Sequence, residues 1–317
     1  MNCLRLAWGV IKHRVVKHKT PLSISWALTN RCNKRCSYCS VGKTPARELA
    51  TEEVLNGIRV ARELGCQRIG FTGGEPLLRQ DIGKIISCCK RLGIFTGVVT
   101  NGSLVGEMSA ALRELDLLQL SLDGDPVTND SQRFRGSYAC TIKAIRIARK
   151  MGIRVFLTCT LTRKTVGKVG HVLDTASEHD VPVFFQPVAS YDICGKGAAE
   201  LAPDDRDYRA AIKKLRGHKH VANSKTGLSL MLGWPEKRRM RCHAGELFCH
   251  IYTDGRMFPC FNMDNKNGID IRNGFREAFT AISRQGCSCC YTYANVELNL
   301  ALSLNPGSVR NAMRLLG

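Results

Sequence analysis

The 317-residue sequence lacks any run of 18 apolar residues, so no membrane-spanning helix is expected. It has no tandem repeat or low-complexity tract, and a hydrophobic content of 44% excludes wholesale disorder. The first residues lack the features of a secretory signal, because Arg5 interrupts a short apolar stretch and no small-residue cleavage site follows. We therefore expect a cytoplasmic globular protein, with one large α/β domain and an appendage or with two domains.

Acidic residues are nearly absent from two segments. The formal net charge is +20. Residues 1–47 contain ten Lys and Arg and no acid, and residues 209–241 contain ten against Glu236 alone. The stretch between them is neutral. Charge runs are usually solvated surface, but this concentration indicates an anionic partner.

Cysteine, in contrast, is abundant, with 16 residues. In a reducing compartment this number favours metal ligands or free thiols over a disulfide framework. Nine of the cysteines fall into two groups, within residues 32–39 and 242–290. The other seven show no metal-ligand spacing, and we expect them to be small buried apolar residues.

Short apolar runs alternate with amphipathic stretches between residues 22 and about 187. The runs cover residues 23–28, 68–72, 94–100, 117–122, 153–161 and 181–186, and the helical patterns cover 51–64, 81–92, 104–115, 138–151 and 166–179. Each run is flanked by turn-forming residues, as buried parallel strands tend to be. The alternation predicts a parallel α/β fold with its active site at the carboxyl ends of the strands.

The first cysteine group directly follows the first predicted strand. Cys32, Cys36 and Cys39 have the spacing C-x3-C-x2-C. Three thiolates from one loop can bind three corners of a four-iron cluster and leave one iron open to another ligand. A structural zinc site and unrelated thiols are the alternatives.

With Tyr38 before its last cysteine, this loop resembles that of the radical S-adenosylmethionine (radical SAM) enzymes. The Gly73-Gly74-Glu75-Pro76 segment after the second strand resembles the GGE segment of the same family. The resemblance covers about residues 22–190 and implies an α/β fold, a partial (βα)6 TIM-like barrel. It also implies a [4Fe–4S] cluster that binds S-adenosylmethionine and cleaves it reductively, giving a 5′-deoxyadenosyl radical that abstracts hydrogen from a substrate.

The resemblance further implies a pocket for S-adenosylmethionine at the strand ends. In the family the GGE segment holds the methionine amino group, and positions like Ser121 and Asp123 lie near the ribose and methionine. In isolation each such residue is usually a turn or a cap, so their order along the barrel carries the argument. The cofactor-binding candidates are Tyr38, Gly73, Gly74, Glu75, Pro76, Asn101, Ser121, Asp123 and Gln186.

The second cysteine group surrounds a predicted hairpin at residues 247–260, whose turn is Asp254-Gly255. It resembles the C-terminal auxiliary-cluster modules called SPASM or twitch, although the later cysteine run of the full pattern is missing. The resemblance implies one auxiliary [4Fe–4S] cluster, and a zinc site with the same ligands is the alternative. Candidate ligands are Cys242 and Cys260, one or two of Cys287, Cys289 and Cys290, and Cys249 as a further one.

The basic N-terminal segment, residues 1–21, predicts an amphipathic helix with Leu4, Trp8, Ile11 and Val15 on one face. Such a helix packs on the bottom of the barrel or lies on an anionic membrane surface. After the barrel, residues 191–241 predict a basic linker with one helix near 204–216. Residues 242–317 predict the auxiliary-cluster module and a C-terminal helix.

Together these features predict a radical SAM enzyme that acts on a peptide, or on a membrane-associated lipid or small molecule. The expected partner is a reductant such as ferredoxin or flavodoxin, and the expected location is cytoplasmic, with peripheral contact at the inner membrane surface as an option. An RNA-modifying enzyme is less favoured, because segment 209–241 lacks interleaved aromatic residues. The remaining alternative is a non-catalytic iron–sulfur electron-transfer protein.

Overall fold

The computed structural model describes residues 3–43, 46–188, 200–234, 240–262, 267–283 and 290–316. The predictions for Cys287 and Cys289, and those for linker residues 191–199, lie outside the described residues. Within the described part of the chain, no helix is both long enough and apolar enough to cross a membrane.

Six consecutive strands form a parallel sheet in which each strand pairs with the next along the chain. They match the six predicted runs to within two residues, and the predicted α/β fold with a parallel sheet is confirmed. The strands are β1 (Ser23–Thr29), β2 (Arg68–Gly73), β3 (Phe95–Thr100), β4 (Leu117–Ser121), β5 (Arg154–Leu161) and β6 (Val183–Pro187).

Helices connect and cover these strands: α1 (Cys3–Val16), α2 (Thr51–Glu63), α3 (Ile82–Arg91), α4 (Pro126–Gln132), α5 (Ser137–Lys150), α6 (Val169–Glu178), α7 (Asp205–Leu215), α8 (Lys225–Met231), α9 (Phe275–Ala281), α10 (Tyr293–Leu302) and α11 (Pro306–Leu316). The helix predicted over residues 104–115 is wrong, because that connection forms turns and a short 3-10 helix at Ser109–Leu112. Val105 and Leu112 are both buried in the core there, so tertiary packing outweighs helical propensity.

Two apolar layers hold the barrel together. Alternating β1 residues such as Ile24 and Trp26 point to the helices and belong to the main core. A separate cluster, Phe95, Leu117, Phe156 and Phe184 with Tyr293, comes from the opposite face of β3 to β6 and from α10. Tyr293 stacks on Phe184 with ring centroids 4.5 Å apart. The start of helix α10 therefore packs against the interior face of the open barrel.

The C-terminal segment continues the same sheet beyond β1. Strand β7 (Phe248–Ile251) pairs in parallel with β1, and β8 (Arg256–Phe258) folds back on β7 as the predicted hairpin. Strand β9 (Ile269–Asp270) then pairs with β8. The nine-stranded order is β6-β5-β4-β3-β2-β1-β7-β8-β9.

Helix α1 packs near the amino end of β1, as one of the two predicted arrangements had it. Val10 joins a cluster that also contains Leu22, Ala244, Leu247, Phe248 and Leu302. The predicted apolar face is wrong for Ile11 and Val15, which are 47% and 74% exposed. The helix turns Val10 and His13 inward instead.

Candidate functional site

Three thiols lie in one cavity at the carboxyl ends of the strands. Cys32, Cys36 and Cys39 are each partly buried and line a space of about 580 Å³, a volume typical of small-molecule sites. Strand β1 leads directly into the loop that carries them. The rest of the lining comprises Lys34, Arg35, Tyr38, Gly42, Thr72, Gly73, Gly74, Val99, Thr100, Asn101, Ser121 and Arg133.

The cysteine loop is held against the end of β2 by backbone hydrogen bonds. Gly74 N donates to Thr29 O at 2.7 Å, and Glu75 N donates to Arg31 O at 2.8 Å. A Cβ at Gly73 would lie 2.2 Å from Thr29 O, and one at Gly74 would lie 2.3 Å from Arg31 O. Only glycine fits at either position, so the two glycines allow the two loops to meet.

Glu75 joins neighbouring strand ends rather than lining the cavity. Its buried carboxylate accepts hydrogen bonds from Thr100 Oγ1 at 2.7 Å, Asn101 N at 2.8 Å and Leu77 N at 3.1 Å. Burial raises the pKa of Glu75, and the three hydrogen bonds oppose that rise. This carboxylate thus fixes the position of Asn101, whose side chain donates to Asn33 Oδ1 at 2.9 Å in the cysteine loop.

A buried ion pair supports the opposite wall. Asp123 accepts hydrogen bonds from Arg133 Nε at 2.5 Å, Thr160 N at 2.8 Å and Tyr38 OH at 3.2 Å. Burial alone would lower the pKa of Arg133, but Asp123 raises it overall. Arg133 lines the cavity, yet no sequence motif marks it; only its place just after α4 at the end of β4 could have suggested it.

Not every predicted pocket residue reaches the cavity. Tyr38, Gly73, Gly74, Asn101 and Ser121 line it. Asp123 and Glu75 lie fully buried behind the lining, and Pro76 is buried at the start of a short 3-10 helix. Gln186, at the end of β6, accepts a hydrogen bond from Tyr293 N at 3.3 Å.

The thiols fit iron ligation by their donor chemistry. The described lining of the cavity contains no carboxylate or imidazole group that could also bind a metal, so the metal donors that it offers are soft sulfur atoms. Burial raises the pKa of Cys32 and of Cys36, although Arg133 opposes the rise at Cys36. Thiols of this kind become thiolates when a metal ion binds them, which suits a metal cluster.

Three cysteines of the second group also come together. Cys260 interacts electrostatically with both Cys242 and Cys290, and burial raises its pKa to about 12. Each sulfur accepts a side-chain amide hydrogen bond: Asn295 Nδ2 to Cys260 Sγ at 3.1 Å, Asn299 Nδ2 to Cys242 Sγ at 3.8 Å and Asn262 Nδ2 to Cys290 Sγ at 3.8 Å. Amide donors to sulfur are a common feature of iron–sulfur sites, so this group also fits a cluster.

Cys249 does not join this group. It lies in β7 on the face that packs into the main core, where it is fully buried and interacts electrostatically with Cys66. Burial raises the pKa of the Cys249 thiol well above its ordinary value. The alternation of strand side chains turns it away from the hairpin face that His250 occupies.

The two groups lie at opposite ends of β1. The Cys32 loop follows the carboxyl end of the strand, whereas Cys242 and Cys260 pack against the cluster that contains Leu22, just before its amino end. A strand of seven residues spans about 20 Å. The groups are therefore separate sites.

Comparison with known protein families matches the radical SAM superfamily model to residues 26–176. Residues 26–176 therefore form a radical SAM domain. The cofactors of that domain are a [4Fe–4S] cluster and S-adenosylmethionine.

Among curated proteins, the chain is similar to the Fe-coproporphyrin III synthase of Methanosarcina barkeri (strain Fusaro / DSM 804), with 31% identity over 173 residues. That match covers 52% of this chain and 43% of the relative, so the chain spans less than half of it.

Two solved structures share the fold. Streptococcus suis SuiB bound to S-adenosylmethionine has a TM-score of 0.68 at 18% identity, covering 84% of this chain and 67% of SuiB. The anSMEcpe structure with bound AdoMet has a TM-score of 0.67 at 16% identity, covering 93% of this chain and 96% of anSMEcpe. The likeness to anSMEcpe extends over nearly the whole chain.

Proposed function

We propose that this protein is a radical SAM enzyme that abstracts hydrogen from a peptide substrate. The observation that carries the proposal is the single cavity lined by Cys32, Cys36 and Cys39 together with residues from the ends of β2, β3 and β4. The three thiolates would hold the [4Fe–4S] cluster. When bound, the cluster supplies the electron that cleaves S-adenosylmethionine to methionine and a 5′-deoxyadenosyl radical.

The chain's own residues position the reactants in this proposal. Gly73 and Gly74 expose backbone to the cavity, and Asn101 and Ser121 offer polar side chains beside it. Arg133, held by Asp123, places a fixed positive charge where it can attract the carboxylate of the methionine group. Tyr293 and the aromatic cluster close the other end of the barrel, which limits water access from that side.

We propose a peptide as the substrate class. A further SuiB structure, which covers 88% of this chain, is bound to the precursor peptide SuiA. Another anSMEcpe structure, which covers 92% of this chain, has AdoMet and the Cp18Cys peptide bound. Lys34 and Arg35 line the cavity in this protein, so acidic residues next to the modified position would bind favourably.

We further propose one auxiliary [4Fe–4S] cluster on Cys242, Cys260 and Cys290, with Cys287 or Cys289 as the fourth ligand. The three described thiols and their asparagine donors support this assignment. Zinc would also suit four thiolates, so metal analysis has to distinguish the two.

The test is anaerobic reconstitution followed by iron, sulfide and zinc analysis and an assay for 5′-deoxyadenosine. We expect about eight irons per chain, with about four left in Cys36→Ala and about four left in Cys260→Ala. Cys36→Ala should release no 5′-deoxyadenosine. Cys140→Ala, a partly buried cysteine outside both groups, is the matched control and should behave as wild type.

The substrate class is tested by the rate of 5′-deoxyadenosine release in the presence of an acidic peptide library, anionic vesicles or bulk RNA. Stimulation by peptides alone supports the proposal, while stimulation by vesicles or RNA alone overturns the peptide assignment. Full iron loading without any 5′-deoxyadenosine release under reductant would instead favour an electron-transfer protein.

A further inference from the structure

Two histidines and one glutamate converge away from both cysteine groups. His13 comes from α1, and His243 and Glu246 come from the turn that precedes β7. His13 Nε2 lies 3.3 Å from Glu246 Oε2, and His243 Nδ1 lies 3.7 Å from the same oxygen. One ligand atom from each of the three residues lies within 4.8 Å of the other two. Residues far apart in sequence thus point donor atoms at a common place.

The hydrogen bonds of the two rings allow each ring to present a lone pair at this place. His13 Nδ1 lies 3.1 Å from the carbonyl oxygen of His18, which can only accept, so Nδ1 carries the proton and a neutral ring has its lone pair on Nε2. His243 Nε2 lies 3.1 Å from Ser303 Oγ, and its Nδ1 is a buried polar atom without a hydrogen-bond partner. Ser303 Oγ can accept from Nε2–H, and in that tautomer His243 Nδ1 carries a lone pair. Two imidazole lone pairs and a carboxylate that face one another repel unless a proton or a metal ion lies between them.

The spacing suits a small divalent ion. Bonds of about 2.1 Å from zinc to nitrogen and oxygen at a tetrahedral angle place ligand atoms about 3.4 Å apart. The two distances to Glu246 lie close to that value. Metal-bound histidines almost always use the second ring nitrogen in a hydrogen bond that fixes the ring, and both rings have such a partner here.

The three residues differ in their exposure to solvent. The histidines are 4% and 1% exposed, whereas the Glu246 side chain is 45% exposed. The rings are nearly perpendicular, with an interplanar angle of 83° and centroids 5.9 Å apart. This arrangement leaves the solvent side open for water as a further ligand.

We propose that His13, His243 and Glu246 form a mononuclear site for a divalent transition-metal ion such as Zn²⁺. Nitrogen and oxygen donors make it chemically different from both thiol groups. Because its ligands come from α1 and from the turn beside Cys242, the ion would fasten α1 to the C-terminal segment. The site does not depend on the radical chemistry proposed above.

The experiment is zinc binding to the anaerobically reconstituted protein, in which the clusters occupy the cysteines. After incubation with zinc and gel filtration, we expect one zinc per wild-type chain. Zinc K-edge X-ray absorption should show only nitrogen and oxygen at about 2.0–2.1 Å, without sulfur at about 2.3 Å. Added zinc should also raise the Tm of the wild-type protein.

Two ligand variants and one control complete the test. Glu246→Gln keeps the size of a half-exposed side chain, and His13→Ala removes a ring; each should weaken zinc binding at least about 100-fold and abolish the Tm increase. His18→Ala, which keeps the backbone acceptor of His13, should bind as wild type. The inference is overturned if no zinc is retained, if sulfur ligates it, or if Glu246→Gln binds equally well. Iron content should match wild type in all three variants, which separates this outcome from failure of the cluster assignments.

Discussion

At the scale of single residues, the cavity wall depends on one buried ion pair. Arg133 is almost fully buried, and Asp123 is its salt-bridge partner at 2.5 Å. The same carboxylate also holds Tyr38 and the backbone of Thr160. A buried cation that loses its partner keeps its desolvation cost, so such pairs are far more sensitive to the loss of one member than exposed pairs are.

We therefore expect Asp123→Asn to lower the free energy of unfolding by about 3 kcal/mol. It should also weaken S-adenosylmethionine binding, because Arg133 is no longer fixed in the cavity. Urea unfolding and equilibrium dialysis measure the two effects. Lys90→Gln, which removes the exposed ion pair with Asp116, is the control and should cost about 0–1 kcal/mol. An Asp123→Asn protein as stable as wild type would contradict this account.

At the scale of elements, α10 connects the barrel to the smaller C-terminal helices. Its first residue, Tyr293, enters the barrel interior, and its Asn295 and Asn299 donate to the second cysteine group. Between these two asparagines, Glu297 accepts a hydrogen bond at 2.8 Å from Ser224 N, at the start of α8. One helix thus contacts three separate parts of the molecule.

The buried carboxylate of Glu297 predicts a pH effect on stability. Burial raises its pKa from 4.5 to about 7, so the folded state binds its proton more tightly than the unfolded chain does. The contribution of protonated Glu297 to the stability of the folded state is fully present below about pH 4.5, and it is lost as the pH rises through about 7. We expect Glu297→Gln to stabilise the protein at pH 8 by up to about 3 kcal/mol. Thermal unfolding between pH 5.5 and 8.5 should show a smaller pH dependence in the variant; an unchanged profile would argue against a protonated Glu297.

Sequence patterns are sufficient to predict the positions of the six parallel strands, because each buried strand is a short continuous apolar run between turn residues. They also located the first cysteine loop, whose ligands lie within eight residues of one another. They did not find α4 and α8, although Asp125-Pro126 and Ser224 are ordinary helix-start signals. Short helices of seven residues carry too little periodicity for a pattern to detect.

The residues that the sequence did not indicate share a physical cause. Arg133 acquires its role only when α4 folds back and brings it to Asp123, just after the end of β4. His13 and Glu246 are joined only because β7 pairs with β1. Neither contact follows a recognisable spacing, because the first depends on how the chain turns after β4 and the second on strand pairing over a long separation. Cys249 shows the converse, because its spacing suggested a ligand while strand alternation turned it into the core.

At the scale of the whole molecule, the C-terminal segment completes the barrel sheet. Strand β1 pairs with β2 on one side and β7 on the other, and α10 covers the interior apolar cluster. Without β7, the hydrophobic strand β1 would lie at an exposed edge of the sheet. Exposed edges of this kind promote aggregation.

We expect a chain that ends at residue 234 to be insoluble, because it loses both β7 and α10. A chain that ends at residue 304 keeps both elements and lacks only α11, so it should remain soluble with lower stability. The soluble fraction after expression measures the difference. Equal solubility of the two truncated chains would show that the barrel does not need its C-terminal partner strand.

The pairing of Ser23 with Phe248 also has a consequence for synthesis. At about 5–20 residues per second, the ribosome synthesises β7 about ten seconds or more after it has synthesised β1. During that interval one edge of the first strand has no partner, although the cysteine loop next to it is already present. Nascent chains of this protein should therefore depend on chaperones until translation is nearly complete, and cluster insertion into a finished barrel would come after release.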